Sequence, residues 1–380
     1  MQDAKAGHRG VLAIFFLNGA LFGAWASRVP AIKADLAMDE AELGLVLLCM
    51  AAGAVISFPL SGRGTDALGA PTICRLTALV YVPLLPLLGL APASWVLAPA
   101  LLLFGAAFGS MDVAMNAWGA DVERARGRPI MSGLHGFFSL GAGAGAGAGA
   151  LFAAAGAPPW LHFILFAAGI AAVTLPFAWT KWPAERRVVR SRAPILAIPR
   201  GALLAVGVIA FCASMGEGGM ADWSAVYLAE VLAAGEDRAA IGYAVFSVAM
   251  VATRFAGDIL IARLGRVAVA RICGVVAAAG AAAVALSPSV IVGWAGMGAL
   301  GIGYALVAPL VFSRAASDPH VPPGAAVAAV STLAYGGMLL GPPVIGFIGH
   351  AAGLRFSFGL LALLALAIVV LARRLAQPGR

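Results

Sequence analysis

The chain has 380 residues, of which 62% are hydrophobic and only 11% are charged. Ordinary soluble domains are about 45–50% apolar and about 25% charged. A soluble core of this length cannot hide so much apolar surface, so the composition indicates a polytopic membrane protein. The net charge of +8 needs no nucleic acid partner, because the basic positions follow membrane topology.

Twelve apolar runs follow one another, each close to the roughly 20 residues that a helix needs to cross a bilayer. The first six are 11–31, 43–60, 72–90, 95–120, 130–155 and 160–179. After a basic, proline-containing stretch at 181–200, the next six are 202–228, 240–256, 267–286, 290–313, 324–349 and 354–371. We number these runs spans 1 to 12 and expect an all-α fold.

The distribution of basic residues predicts the orientation. If the N-terminus lies inside, the inner segments collect most of the basic residues, including the whole 181–200 stretch. The outer loops then hold only Lys33, Arg238 and Arg355, beside several acidic residues. This asymmetry is the positive-inside pattern. We therefore expect an inner (cytoplasmic) membrane protein with both termini in the cytoplasm.

The two halves of the sequence echo each other at a distance of about 200 residues. Three pairs are in register: Trp25 with Trp223, Gly136 and Gly141 with Gly336 and Gly341, and segment 62–69 with segment 257–266. Two parallel six-helix repeats are one way in which carriers are built. We expect a six-helix bundle at 1–180, a cytoplasmic linker at 181–200 and a second bundle at 201–380, around one central cavity.

On these residues the whole chain resembles a major facilitator superfamily transporter. The glycine–acid–basic segment after spans 2 and 8 is similar to the signature loop of that superfamily, which implies gating roles for Asp66, Arg254, Asp258 and Arg263. The first copy has Ala67 and Ala70 where basic residues are usual, which predicts a weaker gate there. The last three residues are expected to form a charge latch rather than a substrate site.

Span 4 carries Asp112 and Asn116, one turn apart on one face. A carboxylate deep in hydrocarbon costs about 2.5–3.5 kcal/mol on insertion scales, so such groups usually face a bundle interior and mark function. The pattern also resembles the acid-x-x-x-Asn of fucose-type sugar–proton symporters, which implies a protonatable Asp112 and a substrate-contacting Asn116. The alternative is an aspartate hydrogen-bonded to a neighbouring helix purely for packing.

His135 in span 5 is predicted to share a depth with Asp112, and a His–Asp couple would relay protons because imidazole titrates near neutrality. The alternative is a histidine that donates to a nearby backbone carbonyl.

In span 7, Glu217 is expected mid-membrane as a second titrating or substrate group. Asp222 and Trp223 lie near the outer end of span 7, where Asp222 either contacts substrate or is solvated.

Further candidates for substrate contact lie in spans 1, 10 and 11. Asn18 is central in span 1, while Trp25 and Arg28 lie towards its outer end. Arg28 would bind an anionic group, pair with Asp222, or extend to the outer interface. The remaining two candidates are Tyr304 and Tyr335, either of which could instead be a packed aromatic.

The Gly/Ala tract at 141–150 lies inside span 5, and the segment 336–343 of span 11, which ends in two prolines, is its counterpart. Small residues let helices approach closely in lipid. We expect the tract at an interface in the protein rather than facing lipid. It serves either a sliding or bending movement or simple tight packing.

The leading functional hypothesis is a secondary active transporter that couples a proton on Asp112 to movement of a small organic solute, by symport. The alternative is a proton-antiport exporter of a drug or metabolite, and a third is a non-transporting membrane sensor. The sequence has no Walker-type loop, metal-ligand spacing or nucleophile arrangement. We therefore expect no enzyme activity and no cofactor or metal, and a monomer whose partners are solute, protons and bilayer.

Overall fold

The computed structural model describes residues 2–127, 130–180, 182, 199–321 and 323–376. Most of the predicted linker lies outside this part of the chain. The described residues form thirteen α-helices and a final 3-10 turn: α1 Gln2–Asp35, α2 Glu40–Leu68, α3 Ala70–Gly89, α4 Ser94–Arg126, α5 Met131–Ala154, α6 Pro159–Ala178, α7 Ala202–Val231, α8 Glu236–Leu264, α9 Arg266–Ala285, α10 Val290–Tyr304, α11 Val307–Ala316, α12 Pro323–Ala352, α13 Leu354–Leu371 and the turn Ala372–Leu375.

Twelve stretches of helix in this described part are long and apolar enough to cross a membrane. The tenth consists of α10 and α11 together, so α12 and α13 are spans 11 and 12. The prediction of an all-α membrane protein with twelve spans is confirmed. Span 10 is interrupted after Tyr304, a feature that the apolar pattern did not show.

The backbone repeats itself at the helix junctions. Gly69 and Gly265 both have a positive φ (87° and 78°) directly before α3 and α9. Ala37 and Ala233 adopt the left-handed conformation (φ 51° and 52°) after α1 and α7. An alanine takes this conformation only at some cost, so its use at both corners indicates the same turn in the two halves.

The chain forms two compact units. The first holds α1, α2 from residue 46 onward, α3 to α6, and Gly235–Ala244 at the start of α8. The second holds Asp39–Leu45, α7, the rest of α8, and α9 to α13. The units thus differ from a division at the 181–200 stretch by these two short segments.

Within the first unit, the Gly/Ala tract packs α5 onto α1. A Cβ on Gly145 would overlap the carbonyl oxygen of Ala20, and a Cβ on Gly141 would overlap that of Phe16. Backbones this close exclude any side chain larger than hydrogen. The tract therefore lies at a helix interface on α1.

Within the second unit, α7 and α12 are packed in the same way. A Cβ on Gly337 would overlap the carbonyl oxygen of Phe211, and Gly341 lies over Met215. Spans 5 and 11 thus both pack on the first helix of their half, although the closest approach in span 11 is at Gly337, while the matched Gly341 is at ordinary contact distance, 3.6 Å from the Met215 carbonyl oxygen.

Candidate functional site

Asp112 and Asn116 lie on one face of α4, as their spacing predicts. The Asn116 amide donates from Nδ2 to the backbone oxygen of Asp112 (2.8 Å) and to its Oδ1 (3.1 Å). Both side chains are half-buried. Among the described residues, no arginine, lysine or histidine forms an ion pair with Asp112. Its charge is therefore balanced only by an amide dipole.

Asn18 of α1 contacts α4 at the residue before Asn116. Its side chain is fully buried, and Nδ2 lies 3.6 Å from Sδ of Met115, which precedes Asn116. Its Oδ1 has no hydrogen-bond partner within the described part of the chain. A buried acceptor of this kind costs about 1–3 kcal/mol, so an unsatisfied Asn18 next to Asp112 and Asn116 fits a site for a polar ligand.

Aromatic rings adjoin this face of the first unit. Phe108, one turn before Asp112, lies 5.2 Å from Phe22 and 6.2 Å from Phe138 between ring centroids. Tyr243 in turn lies edge-on to Phe22 at 6.2 Å. The sequence interpretation missed these residues, although Phe22 follows Asn18 and Phe108 precedes Asp112 by four positions, which places each pair on one helix face.

His135 lies against α1. Its ring is edge-on to Phe15, with 5.3 Å between centroids, and its carbonyl accepts a hydrogen bond from Ser139 Oγ at 3.2 Å. The predicted proton relay between His135 and Asp112 stays a prediction.

Arg28 has a partner that the sequence did not suggest. Its Nε lies 2.6 Å from Oε1 of Glu236, and its Nη2 donates to the carbonyl oxygen of Ala157 at 2.6 Å. The side chain is fully buried, so the guanidinium of Arg28 is not solvated in this structure. Glu236 opens α8, where the helix dipole favours an acid. The suggested pairing of Arg28 with Asp222 is therefore wrong.

Asp222 is buried, with 8% of its surface exposed. Its carboxylate forms no hydrogen bond or ion pair with any described residue. The predicted solvated position at the outer end of span 7 therefore does not apply in this structure. A buried carboxylate without a partner is expensive, and it makes Asp222 a second candidate for a proton or ligand site.

Trp25 and Trp223 are fully buried. Neither indole N–H has an acceptor among the described residues. Trp223 packs within the second unit beside Gly346, where a Cβ would lie 3.1 Å from its ring. Contact of either indole with substrate stays a prediction.

In the second unit, Glu217 of α7 and Arg254 of α8 form an ion pair, with 3.4 Å between Oε1 and Nη2. Arg254 was predicted to form a charge latch with Asp258 and Arg263. In the structure Arg254 contacts Glu217 and the carbonyl oxygen of Ala305, and the latch with Asp258 and Arg263 stays a prediction. Arg263 is exposed, and the Asp258 side chain lies outside the described residues.

The remaining candidates are placed as follows. Tyr304 is buried against Gly216, where a Cβ would overlap its ring. Tyr335 of α12 and Asp66 of α2 are half-buried. The substrate role of Tyr335 and the gating role of Asp66 stay predictions.

Twelve apolar spans that hold buried charged and amide side chains define a class of membrane proteins in which such groups mark solute or ion pathways. The family model of the Major Facilitator Superfamily matches residues 11–323. The chain is 44% identical over 369 residues to a Sinorhizobium fredii (strain NBRC 101917 / NGR234) protein named "Uncharacterized transporter y4wD", and the match covers 97% of this chain and 98% of that protein. The chain belongs to the Major Facilitator Superfamily and is a transporter of this type.

Two solved structures show the same fold. The nucleoside transporter NupG superposes with a TM-score of 0.72 at 16% identity, covering 96% of this chain and 98% of that one. A variant of the E. coli fucose:proton symporter FucP gives a TM-score of 0.65 at 17% identity, covering 97% of this chain and 98% of that one. At this identity the likeness concerns the fold alone.

Proposed function

We propose that this transporter is a proton-coupled symporter of a small organic solute, acting as a monomer by alternating access. Asp112 is the proton-binding group, and Asn18 and Asn116 contact the solute. The observation that carries the proposal is the half-buried Asp112 carboxylate, which has an amide neighbour but no cation among the described residues. Such a group can gain and lose a proton without breaking an ion pair.

Glu217 is a weaker candidate for the coupling proton. Its carboxylate is paired with Arg254, so its protonation would break an ion pair. Asp112 has no such penalty. Protonation of Asp112 would also remove the cost of moving a bare charge through a dry intermediate. His135 is then a modulator of the proton path rather than its end point.

We further propose that both termini are cytoplasmic in the inner membrane. The excess of basic residues in the inner segments supports this orientation. Reporter fusions at the C-terminus and at Glu236 would test it. We expect a cytoplasmic signal at the first and a periplasmic signal at the second, and the reverse result would overturn the orientation.

Proteoliposomes loaded with a pH-sensitive dye would test the coupling. A pool of sugars, nucleosides and organic acids is added outside without any membrane potential. Symport predicts that a transported solute acidifies the lumen, whereas antiport predicts that the lumen becomes alkaline. Solute entry without proton movement would overturn the proposal.

Asp112→Asn mimics a permanently protonated carboxyl. We expect this variant to exchange labelled solute across the membrane, but not to move protons or accumulate solute against a gradient. The matched control is Glu42→Gln, which removes an exposed carboxylate at the start of α2 and should leave coupling unchanged. Wild-type proton movement in Asp112→Asn would exclude Asp112 as the coupling residue.

The second candidate function is proton-antiport export. The observation that favours it is Asp222, a buried carboxylate without a partner among the described residues of the second unit. If antiport is correct, the lumen becomes alkaline and Asp222→Asn abolishes the change, while Asp112→Asn does not.

A further inference from the structure

The interruption of span 10 has a chemical cause. In a continuous helix, the N–H of residue 309 would donate to the carbonyl oxygen of residue 305. Residue 309 is proline, which has no N–H and whose ring clashes with that carbonyl. The helix accordingly stops at Tyr304 and resumes at Val307, and the Ala305 carbonyl is left without its usual donor.

Arg254 takes over this carbonyl. Its Nε donates to Ala305 O at 3.3 Å, and its Nη2 lies 3.4 Å from Glu217 Oε1. Non-helical backbone at membrane depth is tolerated only when protein covers it or when it lines a polar cavity. Arg254 thus joins the interruption in span 10 to the carboxylate of α7.

The Tyr304 hydroxyl lies at the same place and is unsatisfied. Its side chain is 1% exposed, and its ring and hydroxyl oxygen lie against Gly216, next to Glu217 in the chain. The hydroxyl has no hydrogen-bond partner among the described residues. A buried polar group left unpaired costs about 1–3 kcal/mol. It is expected only where the group has another use, and a ligand is one such use.

The charges of this group restrict what it can bind. Glu217 is the more accessible member, with its side chain 38% exposed against 12% for Arg254. An anionic solute would meet the carboxylate first and be repelled. A cationic solute would meet a carboxylate that already has Arg254 as an ion-pair partner. Hydroxyl groups suffer neither penalty, since they donate to a carboxylate and accept from a phenol.

We propose that Glu217, Arg254, Tyr304 and the Ala305 carbonyl form a site, here called the break site, that binds hydroxyl groups of an uncharged, polyhydroxylated solute. One solute hydroxyl donates to Glu217, and the same or a neighbouring hydroxyl bonds to Tyr304. Arg254 holds Glu217 in place. The inference rests on the proposed transport function and adds the chemical class of its solute.

A three-arm binding experiment on the purified full-length protein would test the class. The neutral arm contains glucose, xylose, myo-inositol and uridine. The cationic arm contains glucosamine and the anionic arm glucuronate, so each charged probe has a neutral parent. We expect at least one neutral solute to raise the melting temperature, and any charged relative to bind at least tenfold more weakly. Tighter binding of a charged probe, or no shift throughout the neutral arm, would overturn the proposal.

Tyr304→Phe removes only the unsatisfied hydroxyl. We expect the melting temperature without solute to stay the same or rise, and the affinity for the neutral solute to fall at least tenfold. The matched control is Tyr227→Phe, because the buried Tyr227 hydroxyl already donates to the carbonyl oxygen of Val284. That variant should melt at a lower temperature and bind as the wild type does. If Tyr304→Phe binds the neutral solute as tightly as the wild type does, the proposal of the break site is wrong.

The two proposals fail differently. If a neutral solute binds through Tyr304 but its entry moves no protons, symport is wrong and the break site stands. If a charged solute enters together with protons through Asp112, the break site is wrong and symport stands.

Discussion

Spans 4 and 10 occupy the same place in the two repeats, since they begin at Ser94 and at Val290, about 200 residues apart. In the first repeat, α4 runs unbroken to Arg126 and carries Asp112 within it. In the second, the helix is interrupted between Tyr304 and Val307. Equivalent spans in one fold therefore present different chemistry, namely a carboxylate on an intact helix and, at the interruption, a backbone carbonyl that accepts from an arginine.

The difference extends to the neighbouring charges. Asp112 has an amide neighbour and no cation among the described residues, whereas Glu217 near the interruption lies beside Arg254. A carboxylate without a cation can change its protonation state, while a paired carboxylate keeps its charge and offers hydrogen-bond acceptors. On the proposals above, the first repeat carries the proton-binding carboxylate and the second carries the site for solute hydroxyl groups.

The largest effect is expected from interrupting the intact helix. Val113→Pro would remove a helix hydrogen bond and clash with the carbonyl of Gly109, at a cost of about 3 kcal/mol or more. We expect a sharply lower melting temperature or no folded protein, measured by thermal unfolding in detergent. Val113→Ala is the control for lost side-chain volume and should cost much less. A folded Val113→Pro variant with wild-type stability would mean that span 4 tolerates the interruption as span 10 does.

A smaller effect is expected from breaking the ion pair of the second repeat. Arg254→Gln leaves Glu217 unpaired and the Ala305 carbonyl with a weaker donor. Removing one partner of a buried pair costs about 3–5 kcal/mol, and we expect roughly 1–3 kcal/mol because Glu217 is 38% exposed. The double variant Arg254→Gln, Glu217→Gln should recover much of the lost melting temperature. If the double variant is no more stable than Arg254→Gln, the pair does not hold this region together.

Restoring the missing helix hydrogen bond in span 10 should raise the melting temperature rather than lower it. Pro309→Ala restores an N–H that can bond to Ala305 O, so we expect the melting temperature to rise by a few degrees. Affinity for the neutral solute should fall, since Arg254 loses its acceptor. Pro99→Ala is the control, because Pro99 lies inside α4, a helix that contributes no residue to the break site. That variant should also be stabilised, but with unchanged affinity. If Pro309→Ala and Pro99→Ala bind the solute with equal affinity, the interruption of span 10 plays no part in binding.

The smallest effect concerns the loops that follow these spans. Asp318 follows α11, and burial alone would raise its pKa. Hydrogen bonds from the His320 backbone N–H and from Arg314 nevertheless hold the pKa below its usual value. The ionised form therefore stabilises the fold above about pH 4, and this stability is lost as pH falls through the lower folded pKa. Asp318→Asn should cost at most about 1 kcal/mol at neutral pH.

The first repeat provides the comparison for this prediction. There Glu123 accepts hydrogen bonds from the backbone N–H groups of Ile130 and Met131 at the start of α5. Melting curves from pH 3 to 7 would show the wild type losing stability at the acid end and Asp318→Asn losing less. An identical acid loss in the wild type and the Asp318→Asn variant would show that Asp318 makes no pH-dependent contribution, and Glu123→Gln tests the first-repeat acid in the same way.

The sequence alone determined the number of spans and the use of its glycines. Twelve apolar runs of sufficient length can only be helices in lipid, because every backbone group must be satisfied within the segment. The close packing of spans 5 and 11 on other helices could also be predicted, since small residues inside apolar runs mark close helix contacts. The spacing of Asp112 and Asn116 placed them on one face for the same local reason.

Only the tertiary structure decided the partners. Arg28 binds Glu236 and the Ala157 carbonyl, and Arg254 binds Glu217, although each arginine is far from its partner in sequence. Periodicity says which face of a helix a side chain occupies, but not which helix lies opposite. The interruption of span 10 could be predicted from the sequence only in part. Pro309 was visible in the sequence, but one proline within a long apolar run can kink a helix or stop it. The outcome here depends on Arg254, which supplies the hydrogen bond that the proline removed.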